Sequence, residues 1–491
     1  MMELEFEGKA IRCLKNLMLD TQEVEQVQEV RIPDDMPDIG NIICAWGQCM
    51  LRGKDWRSDS VGVNGGVMAW VLYSPSDGSE PRVLGAWLPM QCKWNMASSG
   101  QEGTLRASWH LRDVDGRMLS ARKIMVRANA AVQAEVWMPY DAVLYYPQNI
   151  PADIQILRQE KALRFYKEAG EKIFVVEEEL HTPDMEKPIC FNVQPVINEQ
   201  AVVGGKAVFR GDTKIHMVYQ GMDGMLHSHD QTAPFSQFSD LDRDYDKEAV
   251  VSVVPVVSNF ETEQTESGVR VKASVVMQYV VSDQEQVQFV DDAYSPVRTV
   301  NCMFSTYDIP AEIDREEEII DYCVNVPQGL GQMVDMTVNP VLGVGLRRES
   351  GMEGRIYGNL QFVYYDEAGN LMSETQSVED IWHTADVDGT GINAVIKSVE
   401  QPRLEGIQAS GQIRMDLTRR MAEKTKTVNG LEMGELQRPD PGRPSLVLRR
   451  AGGQSLWSLA KESGSTVEAI QKANGLSGEP MSDQMLLIPV V

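Results

Sequence analysis

The feature that most constrains this chain is an internal repeat. The segments WVLYSPSDG (70–78), HMVYQGMDG (216–224) and FVYYDEAGN (362–370) place Tyr73, Tyr219 and Tyr365 at two identical intervals of 146 residues. Four and five residues past each tyrosine stand Asp77-Gly78, Asp223-Gly224 and Gly369-Asn370, pairs suited to the positive φ angles of a tight hairpin turn. Ahead of the turn the second copy alternates Ile215, Met217 and Tyr219 with His216 and Val218, and the third alternates Leu360, Phe362 and Tyr364 with Gln361 and Val363. That is strand periodicity.

The copies also begin and end alike. VRIPDDMPDI (30–39), ELHTPDMEKP (179–188) and VNVPQGLGQM (324–333) each run an extended segment into a proline, Pro33, Pro183 or Pro327. VRANAAVQAEVW (126–137), VKASVVMQYVV (271–281) and IQASGQIRMDL (407–417) close the copies as strand-like runs. At the junctions, IPADI (150–154) and IPAEI (309–313) precede LRQEKALRFYKEAG (157–170) and IDREEEIIDY (313–322), rich in good helix formers. This pattern predicts linker helices. The expected fold is mainly β: three repeated antiparallel β-sandwich-like modules joined by helical linkers, plus a small C-terminal βααβ domain. The expected partition is an extension over 1–21, modules over 22–140, 172–285 and 316–420, a helical linker over 141–171, a linker over 286–315, a flexible linker over 421–445 and the terminal domain over 446–491.

Composition narrows the function. The 491 residues carry 72 acidic and 46 basic side chains, a net charge of −26, which repels a phosphate backbone or an anionic membrane. Nucleic acid is not an expected partner, nor is direct membrane insertion: no stretch reaches the roughly 20 apolar residues of a spanning helix. The N-terminal region carries Glu3, Glu5 and Glu7 and a short apolar stretch broken by Arg12, Lys15 and Asn16, unlike a secretory signal. Seven scattered cysteines without a CxxC pair read as reduced thiols.

The segment VRIPDDMPDIGNIICAWG (30–47), the closing strand over 126–137 and the threefold repetition resemble the SPOCS domain family of spore-forming bacteria, over most of residues 22–420 and most clearly in the first copy. The resemblance implies a non-catalytic assembly domain of spore coat and cortex morphogenesis.

After the proline-rich stretch QRPDPGRPS (437–445) the composition changes. LVLRR (446–450) reads as a strand; Ser455 caps a helix bearing Leu456, Leu459 and Ala460, which Gly464 ends. Thr466 caps a second helix with Val467, Ile470 and Ala473, ended by Asn474-Gly475, and MLLIPV (485–490) returns as a strand. That order, with GQSLWSLA (453–460), NGL (474–476) and LLIP (486–489), resembles LysM, a module that commonly grips N-acetylglucosamine-containing glycans. The resemblance implies a groove walled by Gly453, Gln454, Ser455 and Leu456 on one side and by Met481, Asp483 and Ile488 on the other. Where the family has Gly-Asp-Thr this chain has Gly453-Gln454-Ser455, and Asp483 stands for a usual glycine. Leu456 and Leu459 read as core; Trp457 reads either as core or as an exposed recognition anchor.

No constellation for catalysis emerges. HSHD (227–230) lacks a third metal ligand of predictable position, and DLDRDYDKE (240–248) imitates a calcium loop but has Tyr245 and Val251 where glycine and glutamate belong. The expectation is no enzyme, no metal and no cofactor. The resemblances together imply a scaffold of the spore envelope, in the mother-cell cytoplasm at the forespore surface, with the coat's basement-layer morphogenetic ATPase and other coat proteins as partners. The alternatives are a peptidoglycan-binding wall protein or a wall hydrolase.

Overall fold

A computed structural model describes residues 2–57, 59–96, 103–343, 346–348, 351–385, 390–421, 425–437, 442 and 444–490. Three sets of six long strands dominate it. The first set is β1 (Glu7–Arg31), β2 (Ile39–Arg57), β3 (Ser60–Pro75), β4 (Arg82–Asn95), β5 (Thr104–Ser120) and β6 (Lys123–Tyr146). The second is β7 (Gln155–His181), β8 (Met185–Val203), β9 (Lys206–Gly221), β10 (Leu226–Asp240), β11 (Val250–Gln264) and β12 (Gly268–Tyr294). The third is β13 (Ala311–Asn325), β14 (Leu330–Leu342), β15 (Gly351–Asp366), β16 (Leu371–Ala385), β17 (Thr390–Val399) and β18 (Gln408–Met421).

All pairing among these strands is antiparallel, and its pattern recurs. In each set the second, third and fourth strands form a meander, β2-β3-β4, β8-β9-β10 and β14-β15-β16. The first strand pairs with the sixth and the sixth with the fifth, as in β1-β6-β5, β7-β12-β11 and β13-β18-β17. The two sheets of a set share a core because alternate side chains face inward. Val271, Ala273, Val275, Met277 and Val281 of β12 are buried, and the last three meet Phe209 and Ala233 of the meander. Leu360 and Phe362 face Ile413 and Met415 in the same way.

The three tyrosines of the repeat all lie on the central meander strand. The turn glycines Gly78, Gly224 and Gly369 have φ of 76°, 77° and 84°, a region side chains rarely adopt. Pro33, Pro183 and Pro327 sit at the turns between first and second strands.

Contacts between sets run head to tail. β11 packs on β2, β17 on β8 and β5 on β14, so the fifth strand of each set lies on the second strand of another and the series closes. Continuous pairing between sets is slight: Leu14 pairs with Tyr166, and Ala311 and Glu312 pair with Phe165 and Arg164. A shared core joins them, with Trp46, Cys190, Met217, Val334 and Tyr365 among its members.

The linker helices are not formed. Residues 157–170 belong to β7, which pairs with β12 from Gln155 to His181, and residues 313–322 belong to β13. Helix propensity differs by only about 0.7 kcal/mol per residue among ordinary side chains, and a partner strand more than a hundred residues away overrides it. The N-terminal extension is likewise strand, since β1 begins at Glu7 and Met2–Glu5 pairs with Thr425–Met433. Thr425–Met433, expected within a flexible linker, also pairs with Val300–Tyr307 from the expected 286–315 linker. Most of the stretch 437–445 lies outside the described residues. Gly65-Gly66 lies within β3, and Gly204-Gly205 forms the β8–β9 turn.

The C-terminal region follows with β19 (Leu446–Arg450), α1 (Leu456–Ser463), α2 (Val467–Asn474) and β20 (Met485–Pro489). β19 and β20 pair antiparallel. Neither helix among the described residues is long and apolar enough to cross a membrane.

Candidate functional site

Local chemistry builds the terminal module as expected. Ser455 Oγ accepts from the Ser458 amide at 3.2 Å, and Gly464, at φ 63°, ends α1 by donating its amide to Ala460 O. Thr466 Oγ1 caps α2 through the Ala469 amide at 3.1 Å, and Gly475 at φ 61° ends it. Leu456, Leu459, Ile470, Leu486 and Ile488 form the core, so Leu456 and Ile488 are not free to touch a ligand.

The two loops expected to wall a groove are tied together. Gly452 donates to Ser482 O at 2.8 Å and Ala451 to Gln484 O at 2.9 Å. The Glu479 carboxylate reaches across to accept from the Leu456 amide at 2.7 Å, taking one of the donors that a helix N-terminus leaves open. Gly453, at φ 79°, lies beside Ser482. Gln454 is half-buried and engaged on both ends of its amide, by Arg449 at 2.7 Å and Glu462 at 3.1 Å. Met481 and Asp483 are exposed. The outer face of the β19–β20 ribbon is apolar: Leu448 and its register partner Leu487 are 63% and 40% exposed, beside exposed Leu446 and Met485.

Trp457 is an anchor, but this chain supplies its socket. Its Nε1 donates to Asp292 Oδ2 at 2.9 Å, and its ring meets Tyr294 edge-on with centroids 4.8 Å apart. One turn on, Lys461 Nζ lies 2.7 Å from both Asp292 oxygens, and Tyr294 donates its hydroxyl to Ser465 O at 3.0 Å. Burial alone would raise the Asp292 pKa, but hydrogen bonds from Lys461 and Trp457 outweigh it and hold the carboxyl below its usual range. Burial pushes the Tyr294 phenol up to about 12. Asp292 and Tyr294 stand at the end of β12, 165 residues before Trp457 in the case of Asp292, and no local pattern marks them as its partners.

The histidines resolve differently from their sequence pattern. His227 Nε2 contacts Asp223 at 3.0 Å, and no cluster of metal-ligating side chains forms among the described residues. His216, which carries no motif, bridges Asp230 and Asp335.

These features define a mainly β chain ending in a capped βααβ module. Residues 184–265 match the family model described as SipL, SPOCS domain, and residues 453–489 match the LysM domain model. The SPOCS match falls on the second strand set, although the first copy carries the plainer resemblance. Both are non-catalytic binding domains, and together they mark a sporulation-related chain with a peptidoglycan-binding type of module. No curated protein and no solved structure matches the chain.

Proposed function

We propose that the three strand sets are copies of one β-sandwich-like assembly module, and that the chain is a non-enzymatic scaffold of spore envelope assembly. In this reading it is recruited to the forespore surface from the mother-cell cytoplasm through protein partners, the basement-layer morphogenetic ATPase of the coat among them. The carrying observation is the union of a SPOCS match and a LysM match on one chain. The terminal module recognises protein in preference to glycan. Glu479 already occupies the Leu456 amide within the groove, while the ribbon face of Leu446, Leu448, Met485 and Leu487 stands exposed, and exposed apolar patches of this kind mark protein contacts.

A fluorescent fusion followed through sporulation tests the placement: a shell around the forespore is expected, and even labelling of vegetative walls overturns it. Titrating the chain with the purified coat ATPase and with chitin oligosaccharides tests the recognition. Micromolar sugar binding without protein binding reverses the assignment to the second reading, a peptidoglycan-binding protein, which the LysM match itself favours.

A further inference from the structure

The two edges of the β19–β20 ribbon differ. On β20 the outer edge is closed: the Asn474 side chain, at the end of α2, donates Nδ2 to Leu487 O at 2.7 Å and accepts from the Leu487 amide at 2.8 Å. Pro489, the next residue facing that way, has no N–H to offer. Because both backbone groups of Leu487 turn away from β19, Leu448 and Leu487 form a non-hydrogen-bonded pair of the antiparallel ladder. The N–H and C=O of Leu448 therefore point away from β20, and by the two-residue period so do those of Leu446 and Arg450. Among the described residues no further strand pairs with β19, and these outward backbone groups meet no partner.

Open sheet edges are ordinarily blunted by charge, proline or a bulge. The middle of β19 carries leucine. Leu446 and Leu448, 51% and 63% exposed, lie on the outer face of the ribbon, and alternation places exposed Arg450 on the same face. Arg449 points the other way and is held by Glu462 at 2.8 Å and by Gln454 at 2.7 Å. Arg450 makes no ion pair among the described residues. Of the other acids of the module, Glu479 accepts from the Leu456 amide, and Glu468 and Asp483 lie beyond ion-pair distance of Arg450.

An open backbone edge calls for a strand, the leucines beside it call for aliphatic cross-strand neighbours, and an unpaired guanidinium calls for a carboxylate. We propose that β19 accepts an extended segment of a partner protein by strand addition, the segment setting aliphatic side chains across from Leu448 and Leu446 and an acidic one across from Arg450. This rests on the reading of the ribbon face as a protein contact and gives that contact a mode: the partner lengthens the sheet. A second copy of the chain fits the edge less well. Antiparallel pairing of β19 with itself, centred on Leu448, sets Arg450 against Leu446 with no carboxylate and brings together two chains of net charge −26.

The probe is a labelled peptide, Thr-Glu-Thr-Val-Thr-Val-Thr, titrated with the full chain and read by fluorescence anisotropy. Antiparallel to β19, it sets its glutamate across from Arg450 and its valines across from Leu448 and Leu446. Saturable binding is expected, and replacing the peptide's glutamate by lysine is expected to weaken it roughly tenfold or more, the loss of one charge-assisted contact. Arg450→Glu, at an exposed position, is expected to reverse that preference. Leu448→Pro removes an amide that the ribbon itself does not use and is expected to abolish binding; should it fail to fold, Arg450→Glu carries the test. No saturable peptide binding, or binding indifferent to Arg450→Glu, overturns strand addition at β19. Chain dimers that Leu448→Pro dissolves overturn the partner in favour of a second copy. Titrating the coat ATPase into the same variants separates this proposal from the reading beneath it. ATPase binding lost in Leu448→Glu but unchanged in Leu448→Pro and Arg450→Glu supports the face and overturns strand addition, whereas peptide binding without ATPase binding supports strand addition and overturns that partner.

Discussion

His216 Nε2 lies 2.9 Å from Oδ1 of Asp335, a carboxylate whose side chain is wholly buried. The other imidazole nitrogen meets Asp230 at 2.7 Å, and the second Asp335 oxygen accepts from Trp46 Nε1 at 2.7 Å and Thr337 Oγ1 at 2.9 Å. One carboxylate thus joins β2, β9 and β14, a strand from each set. Burial lowers the His216 pKa, but Asp335 and Asp230 outweigh it and raise the value to about 10.

A histidine raised from 6.5 to about 10 contributes stability in full below the lower value and loses it as pH climbs through the upper one. The stability of the chain is therefore expected to fall between pH 7 and 10, and His216→Gln is expected to flatten that fall. Urea unfolding at the two pH values measures it. Asp335→Ala leaves the imidazolium without its buried partner and is expected to cost about 3–5 kcal/mol near neutral pH.

Asp292→Asn removes the charge that Trp457 and Lys461 share. Undocking of the terminal module should become easier by about 1–2 kcal/mol, with the module's own fold kept because its core lies within 446–491 apart from Tyr294. Fluorescence energy transfer between labels on β12 and α2 reads the separation. Because the Asp292 pKa is depressed, docking is expected to hold above the ordinary carboxylate range and weaken as pH falls through the folded value.

Leu448→Glu places a charge on the exposed ribbon face without touching the module core. If this face anchors the protein partner, binding weakens by about 2 kcal/mol, measured by calorimetry. Unchanged affinity with normal helical circular dichroism would sink the assignment of this face.

Gly65 and Gly66 mark close backbone approach within β3. An added Cβ at Gly65 would stand 2.4 Å from Met50 O, and at Gly66 2.3 Å from Leu88 O. Gly211, one repeat interval after Gly65, would meet Val196 O at 2.0 Å. Gly65→Ala and Gly211→Ala are each expected to destabilise by about 2 kcal/mol, seen as lower urea midpoints.

What the sequence determined by itself is what short-range chemistry decides. The hairpin turns at Gly78, Gly224 and Gly369, the central strands holding Tyr73, Tyr219 and Tyr365, and the caps Ser455, Gly464, Thr466 and Gly475 were legible because each depends on φ preference, alternation or a hydrogen bond three residues away. Tertiary structure decided the rest. Residues 157–170 became strand because β12 offers a continuous ladder of partners that outweighs helix propensity. Trp457 became a docking residue because β12 carries Asp292 and Tyr294 to it, and His216 became charged because β14 brings Asp335 beside it. The surroundings of a side chain on a strand are set by the sheet packed against its face, and here that sheet often belongs to another copy of the repeat.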